Sequence, residues 1–131
     1  MRISDNTAAY HNIIWFARDN NGNIIFAESH EGSCPEFVLE DASKTERLAL
    51  LICAAKAVDR NREPAIDIDN LAARGFYCYK NDDHDGFTYR LQKTPTNPMN
   101  FDDLPETVRR LLKNQKLPFD AAETEEFMIV R

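Results

Sequence analysis

The stretch "NIIWFARDNNGNIIFAES", residues Asn12 to Ser29, decides the fold. Two apolar runs, Ile13–Ala17 and Ile24–Ala27, flank "DNNGN". Asn and Gly tolerate positive φ, so Asn21-Gly22 predicts a reversal of the chain between two antiparallel strands. Both runs are nearly continuous rather than alternating. A strand covered on both faces reads that way, so the pair is expected near the sheet centre.

Outward from this hairpin, "HEGSCPEFVLED" reads as a loop with a third strand at Glu36–Leu39. A helix is predicted from about Lys44 to Arg60. Ser43 and Glu46 have capping-box spacing, and Leu48, Leu51, Ile52, Ala55 and Val58 fall on one face. "DIDNLAARGF" predicts one short helical turn, opened by Asp69 and closed by Gly75. A second pair of strands follows at Phe76–Lys80 and Phe87–Gln92. The latter alternates Phe87, Tyr89 and Leu91 with Thr88, Arg90 and Gln92, so one of its faces should meet water.

The connector "KTPTNPMN" leads to a second helix in "DDLPETVRRLLKNQKLP". Asp103 and Glu106 suggest its cap, Pro105 fits its first turn, and Leu104, Val108, Leu111 and Leu112 its buried stripe. The chain ends on acidic "DAAETEE" and apolar "FMIV", read as a last strand. This order predicts an α+β fold: a single domain over residues 1–131, with a mainly antiparallel sheet of about five or six strands and two main helices packed on one face.

Composition narrows the function. Hydrophobic residues make up 43% and charged residues 29% of the 131, the balance of a globular domain able to build a core without disulfides. With 22 acidic against 16 basic residues the formal charge is -6, which favours cationic partners and argues against broad binding to nucleic acid. The cysteines, Cys34, Cys53 and Cys78, are odd in number and unpaired in spacing, as reduced cytoplasmic thiols are. The longest apolar run, "LALLICAA", is too short to span a membrane.

"YKNDDHDGFTYR", Tyr79 to Arg90, invites a metal reading. Asn81, Asp83, Asp85 and Gly86 match the first, third, fifth and sixth positions of a calcium-binding EF-hand loop. The twelfth position is Gln92, where that loop needs a bidentate Glu, and the flanks are strand-like. The stretch is therefore expected to be an exposed acidic hairpin tip. His30 and Cys34, with Cys78 and His84, lack zinc-finger spacing. No metal site, cofactor or catalytic residue is assigned.

Cys34, in "EGSCPE", is expected in an exposed loop, where a nearby His11 or His30 would have to activate it for nucleophilic chemistry. Arg109, Arg110, Lys113 and Lys116 cover the outer side of the second helix, an arrangement that also complements a helix dipole. Acidic residues recur at the ends of elements. Glu28, Glu31, Glu36, Asp82, Asp83 and Asp85, with His84 among them, are the candidate partner-binding residues.

The expected function is an acidic protein-binding domain without enzymatic activity, of the inhibitor or immunity type, that neutralises a basic enzyme such as a nuclease toxin. The alternatives are an enzyme with a dispersed Cys/His or carboxylate site, and a metal-binding structural module.

Overall fold

The Asn21–Gly22 reversal forms, with Gly22 at φ 81°, where a side chain would be strained. In the computed structural model, which describes residues 12–30, 32–40, 68–81 and 86–129, it joins β1 (Asn12–Arg18) to β2 (Ile24–His30). The two pair antiparallel, from Asn12 opposite His30 to Arg18 opposite Ile24. A short α1 (Glu36–Leu39) and α2 (Ile68–Ala73) precede β3 (Tyr77–Asn81) and β4 (Thr88–Lys93). A 3-10 turn (Phe101–Asp103), α3 (Glu106–Leu112), a second 3-10 turn (Ala121–Glu123) and β5 (Glu126–Met128) complete the order. The helix expected over 44–60, and Cys53 within it, lie outside the described residues.

Among the described residues the sheet has five strands in sequence order, β1-β2-β3-β4-β5. Every neighbouring pair is antiparallel except β2–β3, which is parallel. A parallel pair cannot be closed by a hairpin, and the long connection between these strands carries α1 and α2. The α+β arrangement of sheet and helices expected from the sequence is the one that forms.

Side chains alternate across the sheet and define two apolar layers. Trp15, Ala17, Ile25, Ala27, Tyr77, Tyr79, Tyr89 and Phe127 face one side, where Val38 and Leu39 of α1 and the segment Leu117–Ala121 cover them. Phe16, Ile24, Phe26 and Cys78 face the other, under Leu71 and Ala72 of α2 and Val108 and Leu112 of α3. The helices α2 and α3 thus share one face, with α1 on the opposite one. On β4, Arg90 and Gln92 of the polar side are exposed while Tyr89 is buried, as the alternation predicts, but Thr88 at the start of the strand is buried as well.

Three expectations change. First, among the described residues β1 is an edge strand, and of the hairpin pair β2 alone is interior. Trp15, Phe16 and Ala17 are nevertheless fully buried. The chain after α3 lies along this edge: Arg18 N donates to Gln115 O (2.9 Å), Leu117 N to Arg18 O (2.8 Å), and Gln115 Nε2 to Phe16 O (2.8 Å). A continuous apolar run reports coverage of both faces, and coverage does not report strand order.

Second, Glu36–Leu39 is helical rather than a strand. Pro35, at φ -58°, sets the entry, and Val38 N and Leu39 N return to its carbonyl. Burying Val38 and Leu39 under the sheet outweighs the β preference of "FVL".

Third, α3 begins at Glu106 without a side-chain cap. The capping side chain belongs to Asn100, which accepts from Asp102 N (2.9 Å) and starts the 3-10 turn instead. At the other end, Arg18 Nε and Nη2 donate to Lys113 O (3.0 and 2.7 Å), and the guanidinium lies 5.0 Å from the Phe101 ring centre. A cation on a C-terminal carbonyl satisfies an orphan acceptor and the helix dipole together.

Candidate functional site

The candidate site is built at the corner where the segment after β2 meets the β3–β4 turn. Tyr89, fully buried on β4, donates its hydroxyl to Ser33 O (2.6 Å) and accepts from Trp15 Nε1 (3.3 Å). Burial pushes the Tyr89 phenol well above its ordinary range, with the neighbouring Cys34 adding to the shift. Its hydroxyl is thus a neutral donor, and it holds the Ser33 carbonyl against the sheet.

On its other side Ser33 N donates to Gly86 O (2.6 Å). Gly32 is pressed against the same turn. A Cβ there would stand 2.3 Å from Gly86 O and 2.6 Å from Asn81 Oδ1, closer than any side chain tolerates. Asn81 is 3% exposed, and its amide has no hydrogen-bond partner among the described residues. Two chain segments far apart in sequence are therefore locked together by backbone contact.

Most of the sequence-derived candidates flank this contact in the chain. Ser33 stands two residues beyond Glu31, and Gly86 follows Asp85 directly. Glu31, Asp82, Asp83, His84 and Asp85 themselves lie outside the described residues. Glu36 is exposed in the first turn of α1, three residues after Ser33. Glu28 stands apart from this set. It follows Ala27 of the first layer, so it leaves the sheet on the second, half-buried and in register with Lys80.

Cys34 is not in an exposed loop: it is fully buried in the first layer, beside Tyr89. The cause is Tyr89, which pulls the adjacent Ser33 carbonyl inward and carries the thiol with it. Cys78 is buried in the second layer, its Sγ 3.6 Å from the carbonyls of Ile68 and Phe76. The two thiols occupy opposite faces of the sheet and cannot share one zinc ion. Among the described residues no group of three His, Cys, Asp or Glu side chains is placed to hold a metal.

The acidic C-terminal stretch divides by role. Asp120 caps the second 3-10 turn, accepting from Ala122 N (3.0 Å) and Asn23 Nδ2 (3.2 Å). Glu123, Glu125 and Glu126 are exposed. Beside the last two, a groove of about 370 Å³ runs along β4, lined by Arg90 to Thr94 with Glu125 and Glu126. Sequence reasoning missed it because it exists only where β5 stops pairing with β4, a matter of strand length and not of residue type.

The basic residues of α3 are partly engaged: Arg110 pairs with Glu106 at 2.8 Å. Among the described residues no helix is long and apolar enough to cross a membrane. No known protein family, curated protein or solved structure matches the chain.

Proposed function

We propose that this chain is an acidic, cytoplasmic protein-binding domain of the inhibitor or immunity type, which neutralises a basic enzyme such as a nuclease toxin. The observation that carries the reading is the Ser33–Gly86 hydrogen bond. It ties together the two backbone stations from which Glu31 and the run Asp82 to Asp85 depart, with Glu36 exposed close by. Acidic side chains on stretches that flank one fixed backbone contact, in a chain of formal charge -6, would steer a cationic partner and resist its displacement. A basic active site that binds phosphate oxygens would accept such carboxylates as a decoy.

The test is capture from lysate with the wild-type chain and with a variant carrying Glu36→Lys, Asp82→Lys, Asp83→Lys and Asp85→Lys. The expected result is a basic protein held by the wild type, released by salt, inhibited while bound, and not held by the variant. The same protein held equally by both would overturn the reading.

A further inference from the structure

Among the described residues the sheet ends at β5, whose strand neighbour there is β4. Leu91 N donates to Glu125 O and Ile129 N to Phe87 O, both at 2.8 Å. Between them Tyr89 faces Phe127, while Thr88 faces Met128 and Arg90 faces Glu126. Bonded and non-bonded pairs alternate in an antiparallel ladder, so the pairs 87/129, 89/127 and 91/125 carry the hydrogen bonds. The main-chain groups of Glu126 and Met128 consequently point away from β4, along an open edge.

Both residues are exposed, and Met128, at 54%, is the one large hydrophobic side chain exposed among the described residues. Their side chains project on the same face, two residues apart. The groove beside β4 opens at the Glu125 end of this edge. At the other end, the Ile129–Phe87 bond sets Met128 beside the start of β4, two residues after Gly86.

We propose that this edge takes an extended segment of a protein partner by strand addition, with a basic residue beside the acidic run Glu123–Glu126 and an apolar one opposite Met128. The charge of the occupant follows from the surroundings. Arg90 is engaged by Glu126 and Lys93 by Asp69, whereas Glu123 and Glu125 make no side-chain ion pair among the described residues. The excess is negative, and cross-strand pairing rewards opposite charge. An edge of three residues offers few main-chain bonds, and edges this short ordinarily resist pairing. Here the exposed Met128 and the adjoining groove supply the remaining contact area. The proposal rests on the reading above for a basic partner, and on the hydrogen-bond phase for its geometry.

The probe is the capped peptide Thr-Lys-Thr-Val-Thr, with an N-methylated analogue and a Thr-Glu-Thr-Val-Thr control, followed by amide NMR of the whole chain. The lysine peptide is expected to bind, to slow hydrogen exchange at the Glu126 and Met128 amides, and to outcompete the glutamate control. N-methylation should weaken it by about tenfold, the loss of one or two main-chain bonds. Met128→Pro should do the same without disturbing the β4 ladder, because that N–H points outward. No binding of the lysine peptide, equal binding of the N-methylated analogue, or unchanged exchange at Glu126 and Met128 would overturn the proposal. The two readings fail separately: partner capture that survives Met128→Pro defeats this one alone, and peptide binding that survives reversal of the corner charges does not depend on the other.

Discussion

Ser33 N–H meets the Gly86 carbonyl at 2.6 Å, joining residues 53 positions apart in the chain. The bond fixes where two acidic stretches leave the described core, and Tyr89 holds its Ser33 end from below. Rigidity at this point matters because affinity suffers when charged groups must be ordered at the moment of binding.

Gly32→Ala tests that rigidity. The added methyl would overlap Gly86 O, which is backbone and cannot rotate aside. The Ser33–Gly86 contact should open, at a cost of about 1–3 kcal/mol in unfolding free energy, typical of overpacking. Urea denaturation measures the loss, and partner affinity should fall with it. A variant as stable as the wild type would show that the corner yields freely.

Asp19→Ala tests the opposite end of the hairpin. The fully buried Asp19 carboxylate accepts from Asn21 N, Asn23 N and Asn23 Nδ2, each at 2.8 Å, and from Ala121 N at 2.7 Å. It ties the first turn to the segment before β5. Removing it strands buried donors, at about 2–4 kcal/mol. Partner binding by the folded fraction should be unchanged, since the acidic corner lies at the other end of β2.

Alkaline pH should unfold the protein through its tyrosines. Burial raises the phenol of Tyr79, with Asp19, Tyr77 and Asp120 adding to the shift, and burial likewise raises that of Tyr89. A folded-state value above the unfolded value near 10 means the native chain holds these protons longer. The stabilisation is complete below pH 10 and declines as pH rises from there toward the raised folded-state values. Phenolate absorbance and far-ultraviolet circular dichroism, followed together, should change in one transition for these residues. Ionisation of every tyrosine near pH 10 with the fold intact would contradict the account.

Much of this architecture was legible in the chain because local signals agreed with tertiary ones. Asn21-Gly22 marked its turn, Gly75 closed α2 at φ 105°, and the alternation from Tyr89 to Gln92 separated exposed Arg90 and Gln92 from buried Tyr89. The failures arose where a distant residue decided. Nothing near Trp15 announces that Gln115 will cover an edge strand. Nothing near Cys34 announces that Tyr89 will draw its neighbour inward. Nothing near Arg18 announces that it will cap α3. Of the candidate site, the sequence offers the acidic residues as candidates by composition and position. The contact between the two segments could not be read, because Gly32, Asn81 and Gly86 carry no charge and mark only close approach.

The central claim is that Glu36 and the acidic stretches flanking the Ser33–Gly86 contact bind a basic protein. The most direct measurement is the dissociation constant of the captured partner across a salt series, for the wild-type chain and for the variant carrying Glu36→Lys, Asp82→Lys, Asp83→Lys and Asp85→Lys. The account predicts wild-type binding that weakens steeply with salt, and a loss of about a hundredfold or more in the variant at low salt. Equal affinity of the two chains, with no dependence on salt, would contradict it.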